Sequence, residues 1–525
     1  MTVAIAPVSR PETPAPRRIL RLALVLPEGW RGEAGCARLV ETLAGADHIR
    51  IAALAECPGP PDLPGLLGRY MRAEARIFGR VAAPATPRFD AQRPGLARLD
   101  MARPAGPPGL DVVIDLAGTA PDTLAGLATS GLWRLSTADP AAGLAPAMRA
   151  APEGAASLSA LGPGGGPWQV IARAGYDTKF IATRNRAFQR EKAVQLIERE
   201  LARLSLGQPL SAAPAPSPEP SPEPPRPSRL PGYLARACAQ AGRRLVDRLR
   251  ARAGGRPGRF CLGLATGDPL DFDPASARIF DAPAGQYWAD PFLVAHDTGL
   301  HAFYEVYDYA TGRGHIAAGR IVDGQLTHLG PVLAPDHHLS YPFVFRHGTD
   351  ILMLPESHQT GRLEIWRAVD FPMRWELQAT ALEGLAPADS TLVERDGQWW
   401  LFTNLCRDGF GDHCSELHLY RVDGPQLRHV TPHPLNPVVI GAGSARGGGR
   451  VFARGGRLYR TAQDNTHGTY GYGLVIAEIE ALSETTYRER PVRHVTPENA
   501  GIGGLIGLHH VDALDGVVLF DMRRR

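Results

Sequence analysis

What the chain lacks narrows its class first. The six cysteines, Cys36, Cys57, Cys238, Cys261, Cys406 and Cys414, lie far apart without a CxxC pair. That excludes a zinc ribbon and a stapled secreted scaffold as readings; the sharpest exception is a clip between Cys406 and Cys414, which bracket one loop. No acid-rich ligand spacing occurs, so neither a metal nor a cofactor is expected. No run approaches the roughly 18 apolar residues that span a bilayer. The apolar stretch Ile19 to Leu26 is short, interrupted by Arg21 and followed by Pro27 and Glu28, which argues against a secretion signal. The expected location is cytoplasmic, with a peripheral position at the inner membrane as the alternative. Charge of one sign is not in surplus, 57 basic against 54 acidic residues, so nucleic acid is not an expected partner.

What is present is a phrase written five times: a short apolar strand, a Gly-containing turn, and a second apolar strand ending on a polar residue. The copies begin at Trp288, Ser340, Ala388, Gly447 and Gly507. Recurrence at roughly 50 to 60 residues with a tight turn in each copy predicts a radial β array, read here as a five-bladed propeller. In such an array the innermost strands line one channel, so residues at the same place in each copy converge. Those slots hold Asp290, Tyr341, Asp389, the Arg446-Gly447-Gly448 stretch and His509.

At 525 residues the chain is long enough for two or three domains. Residues 18–206 read as a parallel α/β unit. It opens with the strand RILRLALVL, has DVVIDLAG from Asp111 as a strand covered on both faces, and closes with a helix over about Arg186 to Leu204. Residues 207–232 are a proline-rich linker, extended because proline denies both helix and sheet. Residues 233–255 carry a basic helix to about Arg252, with Leu234, Cys238, Ala241, Leu245 and Leu249 on one stripe. Such a helix suits a membrane surface or partner, or else packs on the propeller with solvated arginines. The propeller occupies 259–525.

Several segments carry a resemblance: QYWADPF from Gln286, HLSYPFVF from His338, LPES from Leu354, DGQWWLF from Asp396, SARGGG from Ser444, and the stretch from Ala462 to Gly473. Together, over about residues 260–525, they resemble the propeller domain at the N-terminal side of plant glucosamine inositolphosphorylceramide transferases. The same domain occurs in bacterial proteins, where it follows a formyltransferase-like domain. Its architecture is similar to the five-bladed propellers of family-43 glycosidases. The resemblance implies sugar chemistry or sugar binding in the central funnel without fixing the reaction. DVVIDLAG, LWRLSTADP from Leu132 and the tail from Tyr176 resemble the formyltransferase-like partner. Where that family needs Asn, His and Asp, this chain has Ser136-Thr137-Ala138-Asp139, so the expectation is a degenerate, catalytically silent α/β domain.

The expected catalytic residues are Asp290, Glu356 and Asp389. Asp290 is expected as the base, because the resemblance puts an acid of that role at this point of the first blade; alternatively it caps its own turn before Pro291. Glu356 and Asp389 are candidates for a second acid, with pairing of Glu356 to Arg362 or Arg313 as the alternative. Expected substrate contacts are Tyr287 and Trp288 as stacking faces, His338 and His509 as donors or proton carriers, Tyr341, Arg446, Gln463 and Asp464. Arg446 could hold a phosphate in bidentate fashion, and Gly447 to Gly449 let backbone approach a ligand or simply pack tightly. Where glycosidases carry a tuning Asp in the second blade, Tyr341 stands, which weighs against plain hydrolysis.

The reading is glycosyl transfer in surface glycan or glycolipid synthesis, with a nucleotide-sugar, lipid-linked sugar or glycan as ligand. A family-43-like hydrolase and a noncatalytic glycan-binding scaffold are the alternatives.

Overall fold

The computed structural model describes residues 17–78, 81–210, 224–252 and 259–524. The centre of the proline-rich stretch, 211–223, lies outside the described residues.

The N-terminal unit is a seven-stranded sheet of β1 (Leu20–Pro27), β2 (Ile49–Cys57), β3 (Ala97–Arg98), β4 (Val112–Asp115), β5 (Leu132–Leu135), β6 (Glu153–Leu161) and β7 (Gln169–Asp177), in the order β3-β2-β1-β4-β5-β6-β7. The first five strands run parallel, as expected; β6 and β7 form an antiparallel hairpin on the edge, which makes the sheet mixed. Alternation along β1 sorts its side chains. Leu22, Leu24 and Leu26 face the helices Ala34–Gly45 and Ala182–Ser205, whereas Ala23 and Val25 face a second cluster with Val113, Leu124 and Leu132.

From Arg259 onward the chain forms five antiparallel sheets around one axis. Blades one to four run in order through Gln286–Leu333, Ser340–Ala381, Ala388–Pro432 and Gly447–Val495, each from the innermost strand outward. The fifth is shared between the chain's ends: Leu505–Gly507, Val511–Leu514 and Val517–Arg524 supply its inner strands, and Arg259–Thr266 and Arg278–Phe280 its outer ones. Eight backbone-paired positions between Val517–Arg524 and Arg259–Thr266 close the ring, so no inner edge is left open. The five sequence copies are the first two strands of the five blades. All six cysteines are free thiols, Cys406 and Cys414 included.

The two units are docked. Lys192, fully buried on the helix Ala182–Ser205, reaches Asp408 at 2.5 Å, Glu416 at 3.0 Å and Asp412 at 3.1 Å in the third blade. The end of the hairpin β6–β7 meets the fourth blade, with the Gly468 N–H donating to Asp177 at 2.7 Å and the Ala442 N–H to the Gly175 carbonyl at 2.8 Å. The basic segment is helical over Leu230–Arg252 and anchored by Leu230 and Tyr233 to the N-terminal unit rather than to the propeller. Beyond that anchor Leu245 and Leu249 are 58% and 54% exposed.

Candidate active site in the propeller funnel

One local device builds the funnel. In each of blades one to four the pairing of the innermost strand with its neighbour slips at the same point: after Ala289, Ser340, Ala388 and Gly447. The extra residues form a bulge that turns a side chain toward the axis. Asp290, Tyr341 and Asp389 occupy it with φ of 52°, 45° and 45°, a left-handed conformation that costs a non-glycine residue about 1–2 kcal/mol. Gly449 takes the corresponding turn in blade four at φ 139°. In blade five His509 and His510 fill the break between two inner strands. The bulges are held from beneath. Asp521 accepts the N–H groups of Asp290 at 2.9 Å, His509 at 3.1 Å and His510 at 2.9 Å, while Asp290 accepts the Tyr341 N–H at 3.3 Å.

Two polar chains result. In the first, Asp521 Oδ2 lies 2.6 Å from His509 Nδ1, and His509 Nε2 lies 3.8 Å from Asp290 Oδ1. In the second, Gln463 donates to Asp389 at 3.1 Å, Arg446 grips Asp389 at 2.7 Å and 3.3 Å and Glu356 at 3.1 Å, and His358 meets Glu356 at 2.8 Å. Tyr470, 42% exposed on a loop of blade four, joins them: its ring lies 5.3 Å from the Arg446 guanidinium and 5.4 Å from the His509 ring.

Burial without enough positive charge drives the titration of this group. Asp290 is pushed up to about 6 by burial, against the pull of His509 and with the push of Asp521. Glu305 rises well above the carboxylate range through burial and the charges of Asp290 and Glu356. Burial also raises Asp389, with Glu356 adding to it against Arg446. Glu356 goes the other way: burial is overcome by the His358 hydrogen bond and Arg446, which keep it ionised. His509 is raised, because Asp521 and Asp290 outweigh its burial. Two carboxylates of opposite protonation tendency in one cluster suit proton transfer at neutral pH. Asp290, His509 and Asp521 also bring one ligand atom each within 4.8 Å of one another, so these three could hold a cation once His509 gives up its proton.

Of the residues expected from sequence, Asp290, Glu356, Asp389, Arg446, Gln463 and His509 come together. Tyr287 stacks on Tyr307 at 4.8 Å and points its hydroxyl at Glu305, 3.4 Å away. His338 accepts the Gly314 N–H at Nδ1 and so presents Nε2–H toward Glu305 at 3.5 Å. Three residues have other occupations. Trp288 packs between blades one and five, against Tyr304 and His328. Tyr341 is fully buried and ties its hydroxyl to the Gly449 N–H and carbonyl, both at 3.0 Å. Asp464 spends its oxygens on Thr466 and His494. Arg446 is already shared by two carboxylates. The glycines face neighbouring blades: a Cβ on Gly449 would lie 2.0 Å from the Val511 carbonyl oxygen, and one on Gly447 3.0 Å from the Tyr341 hydroxyl.

Sequence reasoning missed Glu305, His358, Tyr470 and Asp521. One of them was within reach. Glu305 pairs with Ala289 as Glu356 pairs with Ser340, whereas Asp521 lies inside the strand Val517–Arg524, one position short of that register. The rule that found Glu356 finds Glu305.

Residues 275–513 match the family model described as glucosamine inositolphosphorylceramide transferase 1, N-terminal. Over 233 residues the chain is 36% identical to glucosamine inositolphosphorylceramide transferase 1 of rice, Oryza sativa subsp. japonica, covering 43% of this chain and 31% of that one. Over 208 residues it is 38% identical to the Arabidopsis thaliana protein of the same name, covering 39% and 27%. The chain therefore spans about a third of the length of these relatives. Among solved structures it is similar to a family 117 glycoside hydrolase of Zobellia galactanivorans, with 13% identity, 50% of this chain and 90% of that one covered, and a TM-score of 0.34. An α-L-arabinanase mutant of Cellvibrio cellulosa gives 16%, 45%, 87% and 0.33. The blade count rests on the strand pairing itself.

Proposed function

We propose that the funnel binds a sugar and transfers it from a phosphate-linked donor to a hydroxyl of a lipid-linked or glycan acceptor, in the synthesis of a glycolipid or surface glycan. The observation that carries this reading is the Asp521–His509–Asp290 arrangement, with Asp290 poised near pH 6 at a bulge facing the channel. Likeness of residues 275–513 to proteins named as transferases of glucosamine and inositolphosphorylceramide supports a sugar and a lipid as the two substrates.

In this scheme Asp290 takes the proton of the acceptor hydroxyl. The acceptor oxygen then bonds to the anomeric carbon, and the donor's carbon–oxygen bond breaks with its electron pair leaving on the phosphate. Asp521 holds the imidazole of His509, which absorbs the charge change at Asp290. Arg446 fixes Glu356 and Asp389, whose oxygens receive sugar hydroxyls, instead of holding the donor's phosphate. The exposed Leu245 and Leu249 on a basic helix suit peripheral contact with an anionic membrane that carries the acceptor. The N-terminal α/β unit contributes no chemistry in this reading.

The test is incubation of the full chain with a panel of nucleotide-sugars and a lipid acceptor in anionic vesicles, following sugar incorporated into lipid. Incorporation that Asp290→Asn abolishes while sugar binding persists supports transfer. Sugar released from a glycan without any donor assigns the funnel to hydrolysis, a reaction that two carboxylates of contrasting ionisation also permit. Binding without turnover in the parent chain leaves a scaffold.

A further inference from the structure

A cavity lies in the N-terminal unit, lined by none of the funnel's acids. Its volume is about 460 Å³, the size of a pocket for a small metabolite. It opens at the carboxyl end of β1, where β2 and β4 leave on opposite sides, the crevice in which open parallel sheets receive ligands.

Two helices begin at its wall. Ala34–Gly45 starts at Glu33, whose side chain makes no cap hydrogen bond and is taken by Arg190 and the Cys36 thiol, leaving the leading N–H groups of the helix and the positive end of its dipole toward the cavity. The first turns of Ala182–Ser205 contribute Thr183 and Arg186. Thr183 is 9% exposed and its hydroxyl has no hydrogen-bond partner. Such a group is costly unless something meets it.

Among the described residues two of the charges that line it have no ion pair, Glu28 and Arg186. Arg190 pairs with Glu33 at 2.6 Å, Arg72 with Asp62 at 3.1 Å, and Arg38 with Glu191 at 3.3 Å. Among the described residues Arg186 has neither an ion pair nor a hydrogen bond, although it stands one turn from Arg190 on the same helix. Its guanidinium is pushed below its ordinary range by burial and by Arg190. A cationic ligand would meet an unpaired guanidinium. An oxyanion would give that guanidinium its counter-charge, the Thr183 hydroxyl an acceptor, and the helix end an anion. Trp30, Leu63 and Met71 provide an apolar wall for the rest of the molecule.

We propose that this cavity binds a small phosphate ester of about mononucleotide size, with the phosphate on Arg186, Thr183 and the start of the helix Ala34–Gly45. The site is separate from the funnel and stands whether or not the funnel transfers sugar.

Titration calorimetry on the full chain with inorganic phosphate and with uridine 5′-monophosphate tests it. One nucleotide is expected to bind per chain, more tightly than phosphate alone. Arg186→Gln should weaken both by about tenfold or more, Arg186→Lys should restore part of the loss, and Asp290→Asn should leave both affinities as they are in the parent chain. Thr183→Val, close to isosteric, should weaken binding severalfold with the melting temperature kept, which covers the event that Arg186→Gln does not fold. Absence of heat with both probes overturns the proposal. So does undiminished binding in a folded Arg186→Gln or Thr183→Val chain.

Discussion

Asp290 shows how much one side chain can cost its own fold. Its carboxyl titrates at about 6 in place of 3.8. The folded state thus holds the proton more tightly than the unfolded chain does. Stability owed to this group is greatest below pH 3.8 and falls as pH rises to about 6, where the charge must be carried inside the funnel. Asparagine tolerates the left-handed backbone and carries no charge. Asp290→Asn is therefore expected to be more stable than the parent at pH 8, by on the order of 1–3 kcal/mol, and to match it near pH 4. Urea unfolding at both pH values checks this; a variant less stable at pH 8 would mean that the charge is a net support. Activity should rise through the same pH window as the base loses its proton, and fall at least ~100-fold in the variant. Asp290 was legible because its blade slot is marked by the Trp-Ala-Asp-Pro phrase. The ionised partner Asp521 was not, because it works from the second strand and touches the site through His509 and three backbone N–H groups.

Among the elements, the bulge decides which positions face the channel. The glycine run from Gly447 to Gly449 read naturally as room for a ligand, and the neighbouring blades use that room instead. Gly449 combines φ 139° with a virtual Cβ 2.0 Å from the Val511 carbonyl oxygen, so alanine there strains the backbone and drives blades four and five apart. Gly449→Ala should cost at least about 3 kcal/mol and also loosen Tyr341, whose hydroxyl bonds both polar atoms of Gly449. Thermal unfolding measures the loss, and an alanine variant within about 0.5 kcal/mol of the parent would show that the blades give way freely. Element existence was easiest to read where local chemistry and tertiary demand agree, as in β1 and the blade hairpins. The edge hairpin β6–β7 escaped because EGAASLSAL and QVIARAGYD are rich in alanine and glycine, which have little strand preference of their own. Pairing with β5 and cover from the helix Ala182–Ser205 make them strands.

The whole molecule differs most from what its sequence suggests. A proline-rich stretch of this length permits two domains tens of ångströms apart, yet the N-terminal unit sits on the propeller and grips the two loops that border the funnel. One loop, around Asp408 to Glu416, is tied to Lys192. The other carries Tyr470 and is tied through His467 and Gly468 to Pro152 and Asp177. No local pattern in the sequence announces this, because Lys192 and its partners lie more than two hundred residues apart and look like ordinary surface charges. The arrangement predicts that a chain cut at a protease site placed between residues 211 and 223 still elutes as one particle at moderate salt. Lys192→Met should change that. It removes the cation and leaves the side chains of Asp408, Asp412 and Glu416 without it, with Arg407, His418 and Gln195 still on Glu416, a loss of about 3–5 kcal/mol that falls on the docked state. Cut Lys192→Met chains should then separate on size exclusion, and the uncut variant should lose funnel activity as the Tyr470 loop is released. Separation of the cut parent chain would remove the N-terminal unit from any part in shaping the funnel, and co-elution of the cut variant would move the docking energy from the Lys192 cluster to the backbone contacts at Gly175 and Gly468.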